Sequence, residues 1–368
     1  MSNRIAATGL SHGASPHPDH AAKAVERALG NAGLSCARAV ILFLTPHYAR
    51  HPEPALRAAA RAAGCLQVIG ATGAGILNEA EWLLDAPGAA AMVFDAPVAL
   101  APPAPSYAED EVVLSLCAPT TLSAAWLDVP ATRIGAVSGD LFGQGPFTAW
   151  SGARIAESGR AEARFQGVRA AVQASQGVRA LTSPIEVAEV HGFDLLRLGN
   201  YPALNVLVKS LPIGVREMDR IPLHLIMGGV TFGDPATAIR EGRYRLNHIV
   251  AANLNNQSIT LSRPLNRGER LFWAMRDTLA AERDMHSAIE QAHARLGVDP
   301  DFALLFPCMG RGPHFYGNTD RDLELLKTRF PGLPVLGMYG NGEIGPLDGG
   351  NHLYQYSTVV GLFAGETG

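Results

Sequence analysis

Residues 66–75 read LQVIGATGAG and residues 333–342 read LPVLGMYGNG; overlaid with an offset of 267, these two stretches decide how the chain is organised. Each is a short apolar strand running into a G-x-x-G-x-G loop, at Gly70, Gly73 and Gly75 in the first copy and at Gly337, Gly340 and Gly342 in the second. The likeness continues outward in order. An apolar run at 40–44 precedes the first copy and FALLF at 302–306 precedes the second; continuous runs of this length mark strands buried on both faces. A helix expected at 54–63 matches one at 322–329, and a further strand at 91–95 matches 358–362 at the same offset. Repeated units stack or pair. The expected fold is therefore α/β of the mixed α+β kind, with two related, pseudo-duplicated halves whose mixed sheets are flanked by helices and face one another across a cleft. The domain boundary is expected between residues 219 and 220.

Between the two copies the pattern is less regular. A helix at 18–32 closes at Gly33, two strands within 161–173 turn at Gly167, and a hairpin over 184–198 leads into a helix at 203–211. Strands are expected at 223–227 and 243–250, and a long helix at 273–296 with Leu279, Met285 and Ile289 as apolar contacts. Residues 134–138 run into a loop carrying Gly139, Gly143 and Gly145. The segment 96–111 holds Pro97, Pro102, Pro103 and Pro105, which makes regular hydrogen bonding hard to sustain there.

Composition narrows the function classes. With 47% hydrophobic and 17% charged residues over 368 positions, the chain has a globular profile and the length of about two domains. Thirty basic and thirty-four acidic residues give a formal charge of -4, and no Lys/Arg block is present, so a nucleic-acid partner is not expected. No run of eighteen apolar residues and no basic leader with an apolar core occur, which points to a cytoplasmic protein without a membrane partner. The four cysteines are scattered without a C-x-x-C pair and the histidines lack ligand spacing, so neither metal nor cofactor is expected. The glycine loops also run in the wrong order for a dinucleotide fingerprint and lack a following Lys-Ser/Thr.

What the loops offer is close backbone approach and exposed N–H groups suited to an anion. Downstream of strand 302–306 come Cys308, Arg311 and Gly312; the second glycine loop carries Asn341, Gly342 and Glu343, with Asn351 and His352 nearby. If the two strands are adjacent and parallel, these loops share one end of a sheet, where ligands bind in open α/β folds. Arg311 then supplies a fork for a carboxylate and Glu343 accepts an ammonium or hydroxyl, a constellation fitting a small zwitterion. Gly70, Gly73 and Gly75 are secondary candidates from the first loop. Against this stands a plainer reading in which Arg311 and Glu343 pair with each other, Asn341 is a turn residue, and the histidines bond locally.

PCMGRGPHFYG (307–317) and VLGMYGNGEIGPLDGGNHLYQYSTVVGLF (335–363) resemble the signature blocks of the FIST C-terminal domain, and Arg276-Asp277 resembles its middle arginine–aspartate pair. VIGATGAGIL (68–77) and GVRALTSPIEVAEVHGFDLLRLGNYPAL (177–204) resemble the FIST N-terminal domain. The resemblance implies a cytoplasmic sensory module that binds a small metabolite, with amino acids among the candidates, and hands its signal to a separate protein partner or to a second copy. It places Arg311, Gly312, Gly342, Glu343, Gly345 and Pro346 at the most characteristic positions, and adds Arg276 and Asp277 as secondary site residues. The sequence departs from the pattern at Phe306-Pro307-Cys308-Met309, Gly337-Met338-Tyr339 and 354–358, which implies a changed pocket wall. Two alternatives remain open: a hydrolase or transferase using Cys308 as nucleophile with His314 or His352 as base, and a scaffold whose apolar cleft receives a partner.

Overall fold

The computed structural model describes residues 4–104, 106–108, 111–218 and 220–366, so Pro105 and the residue just before the expected boundary lie outside it. The chain divides into two compact units, one made of Met1–Ser175 with Asp284–Gly368 and one of Gln176–Arg283.

In the larger unit the strand pattern around the loop occurs three times, not twice, and of the loop's three glycines the third copy keeps only the first, Gly135. Its first sheet runs Ala6–His12, Gly88–Phe94, Ala39–Leu44, Val68–Thr72, Ala149–Ser151, Arg154–Ile155. The second runs Ala99–Ala101, Arg160–Gln166, Val112–Cys117, Thr132–Val137, Glu343–Leu347, Gly350–Tyr354. The third runs Val168–Ser175, Thr358–Gly365, Phe302–Pro307, Val335–Tyr339, Gly75–Asn78, Trp82–Leu83. All three share one pattern of neighbours: antiparallel, antiparallel, parallel, antiparallel, antiparallel. The final hairpin of each sheet comes from a different repeat. The first repeat gives its hairpin to the third sheet, the third to the second, and the second to the first.

One glycine per repeat shows why the motif recurs. Gly70 pairs with Leu42, Gly135 with Ser115 and Gly337 with Leu305 across the parallel pair, and at each a Cβ would fall onto that partner's carbonyl oxygen. These glycines serve close strand approach. Of the six motif glycines, only Gly342 takes a positive φ, at 125°.

The inner faces of the three sheets bury one common core, so where a cleft was expected the sheets are packed together. Phe43 meets Phe306 and Phe94 meets Phe302 between the first and third sheets, Phe94 meets Phe165 between the first and second, and Phe165 meets Phe363 between the second and third. Such ring pairs add about 0.5–1.5 kcal/mol each beyond their burial. Alternate residues face outward. Val40, Leu42, Leu44 and Val68 pack beneath helices Asp19–Ala32 and Glu53–Ala63, and Ala303, Leu305 and Val335 pack with Met285, Ile289 and Leu326.

The smaller unit is a separate β structure. Among the described residues six of its strands close into an antiparallel ring, in the order Ile185–His191, Asp194–Leu198, Ser258–Leu261, Tyr244–Asn253, Ile226–Thr231, Arg270–Arg276 and back to the first. Inward residues such as Val187, Leu195, Val230, Ile259, Leu271 and Trp273 form its core together with Leu204 and Leu207 of helix Ala203–Ser210. Here the sequence reading needs correcting. Residues 273–276 are strand, and the helix spans Thr278–Leu296, started by Asp277, whose carboxylate accepts the N–H of Ala280 at 2.9 Å. Met285 and Ile289 are buried as expected, but Leu279 is exposed.

Candidate functional site

The three glycine turns meet at one end of the larger unit, but their donors are already used. Gly73 N–H donates to Leu44 O at 3.0 Å, Ser138 N–H to Cys117 O at 2.7 Å, and Gly340 N–H to Pro307 O at 2.9 Å. Ala74 N–H then reaches Tyr339 O and Asn341 N–H reaches Val137 O, tying neighbouring repeats, while the Thr72 and Ser138 hydroxyls lie 2.8 Å apart. The turns are fasteners between repeats. An anion cradle built on these N–H groups is not what the geometry provides. Asn341 itself is exposed, and a Cβ on Gly139 would lie 2.9 Å from its Cβ.

Strands 302–307 and 335–339 are adjacent and parallel, which brings Cys308 beside Gly340. Arg311, however, does not present its fork to a ligand. Buried completely, its Nε and one terminal nitrogen donate to the two oxygens of Asp322 at 3.0 Å each, and its terminal nitrogens also reach Ser175 O and Oγ at 2.8 Å. Asp322 in turn accepts from Tyr316 at 2.9 Å and Thr358 at 2.6 Å. Arg311 is the hub of a buried network, and its partner is Asp322, not Glu343. Gly312 lets the Tyr339 ring pack close, with a Cβ there 3.1 Å from it. Asn351 ties strands, accepting from Arg133 N at 2.8 Å and donating to Ala131 O at 2.8 Å. The His352 ring packs edge-on against Tyr354, and Asp277 caps its helix beside Arg179. Arg276, at the end of its strand, pairs across with Val178.

Glu343 is fully buried. Its Oε2 accepts the Ser357 hydroxyl at 2.6 Å, Oε1 has no conventional partner among the described residues, and the thiol of Cys308 is the weak donor facing it. Burial pushes the Glu343 carboxyl up to about 8, against which the Ser357 and Cys308 bonds act only in part. Burial and the same carboxyl push the Cys308 thiol up as well. A nucleophilic cysteine needs the opposite shift and a basic partner, so the setting of Cys308 does not favour a thiolate. The linkage has a definite sign. The folded chain holds the Glu343 proton more tightly than the unfolded one, whose carboxyl keeps its ordinary value of 4.5. Its stabilising contribution is thus full below about 4.5 and is lost as pH rises towards 8. Asp320, raised by burial to about 6, acts in the same direction. Urea denaturation should show stability falling between pH 5 and 8, and Glu343→Gln should flatten most of that fall. Identical profiles for the two proteins would refute the buried-acid assignment.

Buried polar atoms without partners are scattered singly through the larger unit, at His20, Trp126, Arg133, Trp150 and Glu343, but several come together in the ring of the smaller unit, and the sequence reading passed over them. The register sets Asn247, Gly228 and Trp273 in one row across three neighbouring strands. Alternation puts Arg245 and Asn247 on the same side as Ile249, which belongs to the ring's core, whereas Tyr244 and Leu246 pack with Phe272 on the other side. Asn247 is fully buried, and neither its amide oxygen nor its amide nitrogen has a partner. The indole N–H of Trp273 and Nε of Arg245 are likewise buried and unpartnered. Arg263, two residues beyond inward-facing Leu261, is half-buried; burial pulls its guanidinium down, and the charge of Arg245 adds to that. Neither arginine pairs with a carboxylate among the described residues. Native structures leave few buried polar groups unbonded, and here several share one face. The only sequence signal was polar residues at alternate positions of a strand.

Residues 199–346 match the family model of the FIST C domain. This chain carries a FIST C domain. The match takes in Arg245, Asn247, Arg263 and Trp273 as well as Cys308, Arg311 and Glu343. It begins in the smaller unit and ends in the larger. The chain is also similar to the uncharacterized protein Mb0898c of Mycobacterium bovis, 28% identical over 242 residues, covering 65% of this chain and 62% of that one. A second likeness, to the uncharacterized protein Rv0628c of Mycobacterium tuberculosis, is 28% identical over 242 residues and covers 64% and 62%. The match thus spans less than two thirds of these relatives. No helix of the described residues is long and apolar enough to cross a membrane.

Proposed function

We propose that this FIST protein is a cytoplasmic sensory module whose ligand, an amino acid or a related small carboxylate, is received inside the strand ring of the smaller unit. The observation that carries the reading is the set of unpartnered groups there: two arginines without acids, a doubly unpartnered Asn247 and the free indole N–H of Trp273. Two guanidiniums suit a carboxylate. The Asn247 oxygen is the acceptor for one donor, such as an α-amino or α-hydroxyl group. The sensory, small-ligand role suggested by the FIST family supports the same reading. In it, a FIST N-like region precedes the FIST C match, which begins at residue 199, and the signal passes to a separate protein partner.

Calorimetry of the full chain against the protein amino acids and their 2-hydroxy analogues tests the proposal. One compound should bind at micromolar affinity or better. Arg263→Gln should weaken that binding at least about tenfold, the scale of a lost charge-assisted hydrogen bond, with little change in stability because Arg263 has no partner to lose among the described residues. A panel without a binder, or undiminished binding by the variant, sinks it.

A further inference from the structure

A second concentration of unpaired charge lies at the opposite end of the first sheet from the glycine turns. There the exposed face of helix Glu53–Ala63, the approach to strand Val68–Thr72 and the hairpin strand Arg154–Ile155 enclose a groove of about 760 Å³. Arg57 and Arg61 sit one helical turn apart on its wall, and Arg154 faces it from the hairpin. All three are exposed and none bonds to another group among the described residues; the one acid that lines the groove with them is Glu53, one turn before Arg57, which leaves three cations against one carboxylate. Elsewhere in the same unit several arginines pair: Arg133 with Glu162, Arg164 with Glu111, Arg321 with Glu324 and Arg329 with Glu290. Like charges four apart on a helix repel, and the chain as a whole is negative. The groove floor is apolar, with Leu66 exposed to 72% and Ile155 to 39%.

We infer that this groove is a binding site for a small organic anion carrying two acidic groups and an apolar ring or short chain. Guanidinium forks on two walls recognise paired carboxylate, sulfonate or phosphate groups, and Leu66 and Ile155 cover the apolar body. The volume falls in the range of small-molecule sites, roughly 300–1,000 Å³. A partner peptide added as a strand is the less suited occupant, because the strand at the groove is only two residues long. The site is independent of the ring in the smaller unit, which lies in the other compact unit.

The fluorescent dye 8-anilinonaphthalene-1-sulfonate, which joins an acid to an apolar body, and its two-sulfonate dimer are the probes. Titrated into the full chain, both should saturate a single site, the dimer more tightly. Arg61→Gln and Arg154→Gln should each weaken the dimer about tenfold, and Leu66→Ser about threefold, while unfolding temperatures stay unchanged because all three side chains are exposed. Arg263→Gln should leave dye binding intact, which separates this site from the one proposed above. Three results overturn the inference. The Arg61→Gln/Arg154→Gln double variant binds like the parent. The uncharged N-phenyl-1-naphthylamine binds equally well, leaving only an apolar patch. Or hexaglutamate displaces the dye where phthalate does not, which assigns the groove to an acidic protein segment.

Discussion

Arg311→Ala should cost about 3–5 kcal/mol of stability, the scale of removing one partner from a buried ion pair. The expected result is a chain that fails to fold or unfolds at far lower urea, since whole domains are stable by only roughly 5–15 kcal/mol. The reason is Asp322. It is fully buried, its two oxygens both accept from Arg311, and the Tyr316 and Thr358 hydroxyls that remain carry no positive charge. The same substitution releases the carbonyl and hydroxyl of Ser175, the last residue of its strand. Arg311→Lys is expected to rescue little, because one ammonium cannot span both carboxylate oxygens and Ser175. Arg311→Ala combined with Asp322→Ala should recover part of the loss, since the uncompensated charge goes with the second change. A single variant as stable as the parent but unable to bind ligand would instead return Arg311 to the role its sequence context suggested.

Asn247→Leu should do the reverse: raise stability and abolish ligand binding. Leucine has the same branched heavy-atom skeleton as asparagine, although its methyl groups are bulkier than the amide, and the cost of a buried amide with neither end bonded disappears. That cost is about 1–3 kcal/mol, enough to raise the unfolding midpoint of the smaller unit by several degrees. A protein that keeps a costly buried group facing its core trades stability for function. Thermal unfolding and calorimetry on one preparation check both halves of the prediction. Lower stability would mean that the amide is satisfied in the native chain, and the proposed ligand contact would fall with it.

Several features were legible because they are local. The buried strands at Ala39–Leu44 and Phe302–Pro307, the helix ending at Gly33 and the turn at Gly167 follow from apolar runs and from glycines with φ of 74° and 73°. The two-copy glycine motif was legible too. Its third member, Ile134-Gly135-Ala136-Val137-Ser138-Gly139, was passed over because Ser138 stands where the other copies have Gly73 and Gly340, which breaks the spacing. The helix reading at 273–276 failed because apolar residues there pair across a ring with Gly228 and Met227, partners some 45 positions earlier.

By itself, then, the sequence determined the strands, the turns and the glycines that let parallel strands approach, since these depend on side-chain period and backbone sterics within a few residues. Only the tertiary structure decided which charges are free. Arg311 and Arg263 are the same residue type in similarly polar contexts, yet one is closed by a carboxylate eleven positions away and the other has none among the described residues. Whether a guanidinium holds the fold together or stays free for a ligand depends on what the folded chain brings within about 3 Å of it, and that distance is not written in its neighbours along the chain.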